Sequence, residues 1–253
     1  MTTVQDILRY IETIAPVDLK MEWDNVGLLC GRSDKQVRTL LVALDPFTHV
    51  CQEAVEVGAD LLVTHHPLIF QPLSSVSDQT AAGSAIMTLI ANDISAVNAH
   101  TNLDCADGGV NDTLAERLEL TDISVIGSEH LLRAGNYEST LPAFIEHVKT
   151  QLGCQGLRYV SGGKSVCRVA VGGGSCGSAL TEVMAAGCDT FVTADVKYNQ
   201  FWDAKEMGIN LIDAGHFQTE NPVCAVLADK LQKAFPDVQV ILSKKHADCV
   251  NFY

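Results

Sequence analysis

Two hydrophobic periods alternate along this chain, and their order is repeated once. Apolar residues spaced three and four apart predict amphipathic helices from about Val4 to Ile14 and from about Leu141 to Leu152. A continuous apolar run rich in β-branched residues follows each helix, Thr39 to Leu44 in one case and Cys167 to Val171 in the other. Such runs are typical of strands that a parallel sheet buries on both faces. The pattern therefore indicates two copies of one α/β arrangement.

The agreement between the copies continues through three further pairs of segments. CQEAVEVGADLLVTHH and LTEVMAAGCDTFVTAD each predict a helix, a C-terminal glycine at Gly58 or Gly187, and then a strand. ISAVNAHTNLD and NLIDAGHFQTE each predict a strand that leads to a histidine, with an acid four residues later. ERLELTDISVIGSEH and ADKLQKAFPDVQVILSKKH each close the copy with a helix and a short strand. The repeat thus covers nearly the whole chain.

We therefore predict an α/β protein with two similar subdomains, each with a mostly parallel sheet covered by helices. The boundary falls near Arg133-Ala134, which gives subdomains of residues 1–133 and 134–253. The first copy carries an extra segment, Phe70 to Gly83, whose Pro, Ser and Gly content predicts a surface loop and a candidate lid. The prediction leaves the role of this loop open.

The bulk composition narrows the class of protein. The 253 residues are 47% hydrophobic and 19% charged, as in a folded globular chain. A net charge of −14 disfavours a nucleic-acid partner, although a single nucleotide remains possible as a substrate. No stretch approaches the roughly 18 apolar residues of a membrane helix, and nothing near the N-terminus predicts a signal peptide. Nine scattered cysteines predict reduced, mostly buried thiols, so we expect a cytoplasmic protein.

Candidate chemistry gathers where predicted strands end. Side chains just beyond the C-terminal ends of parallel strands line the crevice in which α/β proteins bind ligands. Six donors hold such positions, and we predict that they bind two metal ions in one site between the subdomains: His65, His66, His100, Asp104, His216 and Glu220. Asp104 and Glu220 are the candidate bridges, because a dinuclear site needs a bridging carboxylate. Nitrogen and oxygen donors favour divalent Zn, Fe, Mn, Co or Ni, without deciding among them.

Simpler interpretations of these residues also exist. A single histidine at a strand end is more often a polar cap than a ligand, and it is the number of donors at equivalent ends that favours a metal site. Cys105 is a weaker candidate ligand beside Asp104. The other four histidines stand at no such end and are expected to be structural or solvated: His49, His130, His147 and His246.

Two further motifs leave alternatives open. Gly172-Gly173-Gly174 begins a formal dinucleotide fingerprint, with Asp195 at a suitable distance. A tight turn that approaches a substrate phosphate, or a purely structural turn, accounts for the glycines better than a nicotinamide or flavin cofactor does. Trp23-Asp24-Asn25 either lines the site or forms a turn held by side-chain hydrogen bonds.

Six motifs together resemble one known family over essentially the whole chain. They are Trp23 to Leu28, Thr64 to Pro67, His100 to Asp104, Gly172 to Gly174, Asp195 to Tyr198, and His216 to Glu220. The sequence is similar to the GTP cyclohydrolase 1 type 2 homologue family, also called the Nif-three-like dinuclear metal-centre hexameric proteins. The chain departs from the family pattern at Asn199, where many relatives resemble Gly-Asp-x-Lys-Tyr-His, and it lacks the middle domain of longer members.

The resemblance implies two α/β subdomains, a dinuclear metal centre held by the same six side chains, and a toroidal homohexamer. It implies no settled reaction. The mechanism that the donor set favours is metal-dependent hydrolysis, and the family name suggests a nucleotide-like small molecule as the substrate. The alternative is a non-catalytic hexamer that stores or senses metal, or that serves as a scaffold. Open coordination positions on two ions would favour catalysis over storage.

Overall fold

The computed structural model describes residues 1–253 and contains ten α-helices and eleven strands. In chain order the elements are α1 (Val4–Ile14), β1 (Gly27–Cys30), β2 (Thr39–Ala43), α2 (Thr48–Glu56), β3 (Leu61–Thr64), α3 (Ala81–Ala91), β4 (Ser95–Asn98), α4 (Thr101–Cys105), α5 (Val110–Arg117), β5 (Thr121–Ile126), β6 (Leu132–Ser139), α6 (Leu141–Leu152), β7 (Arg158–Val160), β8 (Val166–Val171), α7 (Leu180–Ala185), β9 (Thr190–Thr193), α8 (Tyr198–Met207), β10 (Asn210–Asp213), α9 (His216–Glu220), α10 (Pro222–Ala234) and β11 (Gln239–Leu242). None of the helices is long and apolar enough to cross a membrane.

The chain folds into two compact units. Unit 1 comprises Met1–Ala106 and Cys224–Ala247, and unit 2 comprises Asp107–Val223 and Asp248–Tyr253. Each unit has one sheet with helices packed against it, which confirms the predicted α/β class.

The sheet of unit 1 has the strand order β1-β4-β3-β2-β11. Three of its four strand pairs are parallel, and only the edge strand β1 runs antiparallel to its neighbour β4. The central strands β3 and β4 are buried along their whole length, and β2 is buried from Leu40 to Ala43, as the continuous apolar runs predict. One face packs against α2 and α3 around Val50, Ala54, Ile86 and Leu89. This sheet is mostly parallel, as predicted.

The sheet of unit 2 is mixed, with the order β5-β6-β8-β9-β10-β7. Only β8, β9 and β10 are parallel to one another, while β5, β6 and β7 pair antiparallel with their neighbours. The prediction of a mostly parallel sheet is therefore wrong for this unit. The reason is the short connection between β5 and β6, which allows only an antiparallel hairpin. Alternating residues face two cores, so that Val169 and Val171 lie in one and Ala170 lies in the other.

Four strands of each sheet confirm the internal repeat. β1, β4, β3 and β2 in unit 1 follow the same spatial order as β7, β10, β9 and β8 in unit 2. The first helix of each copy has the predicted bounds, and Gly58 and Gly187 both adopt the left-handed conformation after their helices. The two copies thus share the order of their strands and the glycine that ends the corresponding helix.

The two units divide the chain differently from the predicted boundary at Arg133-Ala134. That boundary lies inside β6, which pairs with β5 and with β8 in one sheet. The closing helix and strand of the first copy, α5 and β5, belong to unit 2. β11 and most of α10, which close the second copy, belong to unit 1, where β11 pairs with β2. Each copy therefore ends in the other copy's unit.

The extra segment of the first copy is shorter as a loop than the predicted Phe70 to Gly83. α3 begins at Ala81, and the Thr80 side chain caps it by accepting a hydrogen bond from the Gly83 backbone N–H. Residues 67–80 form bends and turns between β3 and α3.

Candidate metal site

Three imidazoles lie together at the C-terminal ends of neighbouring strands in unit 1. His65 and His66 directly follow β3, and His100 follows β4 as the residue before α4. β3 and β4 are parallel neighbours, so both chains leave the sheet at the same edge. The metal-binding nitrogens of the three rings lie within 4.8 Å of one another. The predicted convergence of these three residues is thus present.

The Nδ1 atom of each of these imidazoles is held by an oxygen acceptor. His65 Nδ1 lies 2.9 Å from the carbonyl oxygen of Ala99. His66 Nδ1 lies 2.6 Å from Asp45 Oδ1, and His100 Nδ1 lies 2.8 Å from Asp24 Oδ1. Carbonyls and carboxylates only accept hydrogen bonds, so Nδ1 carries the proton in all three rings. In the neutral ring Nε2 then keeps a lone pair, which is the arrangement of metal-binding histidines.

Asp24 is built to remain a carboxylate. Its second oxygen accepts hydrogen bonds from the backbone N–H of Thr101 at 3.0 Å and from its hydroxyl at 2.5 Å. Burial would raise the pKa of this side chain, but the hydrogen bonds from His100 and Thr101 outweigh it and hold the pKa well below its ordinary value. The Trp23-Asp24-Asn25 motif therefore serves the site by orienting His100.

Asp45 orients a second imidazole in the same way. It binds His66 through Oδ1 and the Nε2 atom of His246 through Oδ2, at 2.8 Å. Burial would raise its pKa, and the hydrogen bonds from His246 and His66 lower it to well below the ordinary value. His246, which the sequence assigned to a structural or solvated role, thus supports a candidate ligand from the C-terminal segment of unit 1.

Asp104 lies at the end of the five-residue helix α4. Its Oδ1 is 3.5 Å from His65 Nε2, and its side chain is buried. The helix after β4 thus places the acid beside the imidazole of His65. The predicted pairing of Asp104 with His100 on one metal ion stays a prediction. Cys105 is buried but is not among the clustered donors, so the structure does not support it as a ligand. Six of the nine cysteines are buried, as expected.

Unit 2 brings together the other two predicted donors. His216 begins α9 and Glu220 ends it, and Glu220 Oε2 lies 3.0 Å from His216 Nε2. His216 Nδ1 lies 2.7 Å from Asp195 Oδ2, so this imidazole is oriented by a carboxylate as well. Asp195 holds an unusual positive φ of 51° two residues after β9. A strained backbone at a non-glycine residue is common where a side chain must be aimed at a functional group.

The triple glycine has a structural role beside Glu220. The backbone N–H of Gly173 donates to Asn111 Oδ1 at 2.7 Å, and that of Gly174 donates to Thr219 Oγ1 at 3.1 Å. These donors are therefore engaged within unit 2 and not directed at a phosphate. A Cβ on Gly174 would lie 2.1 Å from Glu220 Oε1. The glycine turn allows the Glu220 carboxylate to lie against the backbone, and it supports neither the dinucleotide nor the phosphate interpretation.

A cavity of about 320 Å³ opens beside His216 within unit 2. Its walls combine aromatic rings with charged groups: Arg158, Asp195, Asp213, Phe217, Asp248 and Phe252 are among the residues that line it. Arg158 forms an ion pair with Asp213 and lies over the ring of Phe201. The volume falls within the range of small-molecule pockets.

The sequence did not assign Asp45, Asp195 or His246 to the site. Asp45 lies two residues beyond the end of β2, and Asp195 lies two residues beyond the end of β9, so the strand-end argument could have found them. His246 gave no such signal, because it reaches Asp45 only through the pairing of β11 with β2. Asn199, the departure from the family pattern, is exposed and contacts Asp203 at 3.5 Å.

Known proteins match this chain over nearly its whole length. The Duf34/NIF3 (NGG1p interacting factor 3) family matches residues 2–248. A protein named GTP cyclohydrolase 1 type 2 homolog from Clostridium perfringens is 38% identical, over 98% of this chain and 99% of that protein. One of the same name from Clostridium acetobutylicum is 33% identical, over 98% of each. The crystal structure of a Bacillus cereus protein related to NIF3 superposes with a TM-score of 0.92, at 27% identity, covering 100% of this chain and 99% of that one.

Proposed function

This chain belongs to the Duf34/NIF3 family, and on that premise we propose that it binds two divalent metal ions. The proposed ligands are His65, His66, His100, Asp104, His216 and Glu220. The observation that carries the proposal is the state of the four imidazoles. An oxygen acceptor holds Nδ1 of each ring, which leaves Nε2 facing the other proposed ligands. Histidines that bind metals are commonly oriented in this way.

We infer that the two donor sets serve one dinuclear centre. Unit 1 supplies three imidazoles and Asp104, and unit 2 supplies one imidazole and Glu220. Asp104 and Glu220 are the two carboxylates among the six proposed ligands, one in each unit. They are therefore the candidates for the bridge between the ions. The all-nitrogen and oxygen set fits Zn, Fe, Mn, Co or Ni. The internal repeat supports this inference, since His100 with Asp104 and His216 with Glu220 are corresponding pairs.

The chemistry that the site supports best is hydrolysis of a nucleotide-like small molecule. When bound, a pair of divalent ions supplies Lewis-acid activation of water and of the bond that is attacked. The protein's own part is to fix the imidazoles through Asp24, Asp45 and Asp195, and to provide space for a ligand beside His216. The names of the relatives from both Clostridium species suggest a purine nucleotide as the first substrate to test.

Metal analysis tests the binding proposal. Metal-free protein is loaded with Mn²⁺, Fe²⁺ or Zn²⁺, freed of excess ions and analysed for bound metal. We expect about two ions per chain, and about one or fewer in His66→Ala and in Glu220→Ala, because each loses a ligand. His130→Asn is the matched control, since His130 is exposed and belongs to none of the donor clusters. Well under two ions in the unchanged protein would contradict the proposal.

A substrate screen tests the hydrolase proposal separately. The metal-loaded protein is incubated with nucleotides, phosphoesters and peptides, beside the same His66→Ala and Glu220→Ala variants. Turnover that both substitutions abolish supports metal-dependent hydrolysis. Turnover that survives both would show that the activity does not use this site.

We also propose that the protein is a cytoplasmic homohexamer. Equivalent helices of the two units expose large apolar side chains on one face, Met87 and Ile90 on α3, and Tyr198 and Trp202 on α8. Such faces are typical of surfaces that another protein copy covers. The absence of disulfides among nine cysteines is compatible with a reducing compartment. Elution at the monomer mass in size-exclusion chromatography would contradict the hexamer.

A further inference from the structure

Two exposed aromatic side chains flank a proposed metal ligand in unit 1. Trp23 is 61% exposed and Phe70 is 46% exposed. Their ring centroids lie 5.8 Å apart, and each lies 6.1 Å from the ring of His100. All three contacts are edge-to-face, so the two rings do not stack on one another or on the imidazole. Large aromatic surface therefore remains open to solvent next to the imidazole cluster.

The structure holds both rings in place through their neighbours in the chain. Asn25 Nδ2 donates to the carbonyl of Ile69 at 2.7 Å, which ties the segment of Trp23 to the loop of Phe70. The buried side chain of Asn98, at the end of β4, donates in turn to the carbonyl of Asn25 at 3.1 Å. Ile69 packs against the core of unit 1. The chain segments that carry the two exposed rings are thus tied to one another and to the end of β4.

Trp23 is also coupled to the ligand itself. The neighbouring Asp24 orients His100 and accepts two hydrogen bonds from Thr101, while the backbone N–H of Met21 donates to the Thr101 hydroxyl at 2.9 Å. The turn that carries Trp23 is therefore fixed to the first residue of α4. A molecule that contacts the indole is placed beside His100.

We infer that Trp23 and Phe70 bind a planar heteroaromatic ring of the substrate and place it beside the metal site. The inference rests on the proposed function and names its substrate class. Anchored aromatic side chains bind planar rings with little loss of conformational entropy, and stacking of this kind accepts many ring systems. Phe70 lies in the segment that the second copy lacks, so the ring site belongs to unit 1 alone.

Another copy of the chain is a less suitable occupant. A stable protein interface buries about 800 Å² on each partner, far more than two aromatic side chains offer. The location of the pair around one candidate ligand, with hydrogen bonds that connect both rings to the strand ends, fits recognition of a small molecule. Occlusion by another copy is nevertheless an outcome that the experiment below can detect.

Tryptophan fluorescence gives a direct test because the chain has two tryptophans, Trp23 and Trp202. In a Trp202→Phe background the signal reports on Trp23 alone. The protein is titrated with AMP and with nicotinamide mononucleotide, both with and without metal. Ribose 5-phosphate, which has the sugar phosphate but no ring, is the control. We expect saturable quenching by at least one ring-bearing probe and none by ribose 5-phosphate.

Phe70→Leu in the same background tests the second ring. It keeps an apolar side chain but removes the aromatic face, and we expect binding of the quenching probe to weaken by about tenfold. Phe47→Leu is the matched control, since Phe47 is 52% exposed in the same unit but contacts His49 and His246 instead. Its affinity for the probe should stay within about twofold of the parent.

Three results would overturn the inference. They are no saturable quenching by either nucleotide, equal quenching by ribose 5-phosphate, or a Trp23 signal that depends on protein concentration and not on the probe. Metal content, measured on the same samples, separates this inference from the proposed function. A Phe70→Leu variant that keeps two ions but loses ring binding supports the inference, whereas a parent protein that binds no metal contradicts the proposed function instead.

Discussion

The ends of β3 and β9 hold the same place in the two repeats but carry different chemistry. β3 leads into His65 and His66, which present two imidazole nitrogens in unit 1. β9 leads into Ala194 and Asp195, and the Asp195 carboxylate instead orients the His216 ring through its Nδ1 atom. The proposed ligand His66 in unit 1 is thus replaced in unit 2 by Asp195, which positions the proposed ligand His216.

The preceding turns differ in a complementary way. In unit 1 the turn after β2 supplies Asp45, which holds His66. In unit 2 the turn after β8 is the triple glycine, whose missing side chains make room for Glu220. The repeat therefore keeps the positions at the sheet edge but not the role of the residue at each position. A carboxylate holds Nδ1 of three of the four imidazoles, and these carboxylates come from different turns: Asp24 before β1, Asp45 after β2 and Asp195 after β9.

The two units also hold their exchanged closing segments by different contacts. In unit 2, Asp112 of α5 pairs with the buried Arg133 of β6, with 2.6 Å between Asp112 Oδ1 and Arg133 Nε. In unit 1, the buried Glu53 of α2 accepts hydrogen bonds from Ser243, Lys244 and Lys245, just beyond β11. One unit uses an ion pair, and the other uses a carboxylate that caps a turn.

The largest effect on stability should come from Asp112→Asn. Removal of one partner of a buried ion pair costs about 3 kcal/mol, because the Arg133 charge stays buried without its carboxylate. The loss should appear in unit 2, measured as the free energy of unfolding in urea and followed through Trp202 in a Trp23→Phe background. Unfolding of unit 1, followed through Trp23 in a Trp202→Phe background, should change much less. An equal loss in the free energy of unfolding of both units would contradict the idea that each unit holds its closing segment through its own contacts.

The next largest effect, on metal affinity, should come from the carboxylates that orient the imidazoles. Asp45→Asn should lower metal affinity by about a hundredfold, because the Asp45 side chain is only 15% exposed and binds both His66 and His246. Asp195→Asn should lower it by only about tenfold, since the Asp195 side chain is 53% exposed and water can replace its contact. Metal titration measures both, with the exposed Asp229→Asn as the control. The comparison of the units fails if Asp195→Asn has the larger effect.

The sequence predicts the ligands of this site better than their supports. His65, His66 and His100 follow strands whose apolar runs are plain in the sequence, so their convergence at one sheet edge could be predicted. The support of Asp45 by His246 depends on the exchange of β11 into unit 1, and no local pattern encodes which sheet a closing strand joins. The same limit explains the antiparallel β5 and β6 of unit 2, which hydrophobic period alone does not reveal.

Glu53→Gln should cause a smaller loss of stability, in unit 1. Glu53 accepts three hydrogen bonds, and its carboxylate makes them stronger than an amide can, so we expect a loss of about 2 kcal/mol in the free energy of unfolding at neutral pH. Burial would raise the pKa of Glu53, but the hydrogen bonds from Ser243, Lys244 and Lys245 hold it below the ordinary value of 4.5.

The pH dependence of this loss follows from the direction of the shift. A carboxylate with a lowered pKa in the folded state stabilises the protein above its unfolded pKa, and the stabilisation is lost as the pH falls through the folded pKa. The difference between the parent and Glu53→Gln should therefore be complete near pH 7 and shrink below about pH 4.5. A difference that grows on acidification would contradict the role of the Glu53 carboxylate.

The smallest change in stability should accompany Gly174→Ala, and it separates folding from binding in unit 2. Gly174 has a φ of 61° and Gly187 a φ of 73°, so alanine at either position costs about 1 kcal/mol of backbone strain. A Cβ at Gly174 would also lie 2.1 Å from Glu220 Oε1, whereas one at Gly187 meets no atom within 4 Å. Both variants should unfold at similar urea concentrations. Only Gly174→Ala should lower the bound metal, because Glu220 must move to admit the new methyl group. Equal metal content in the two variants would show that the position of the Glu220 carboxylate against the glycine turn does not matter for binding.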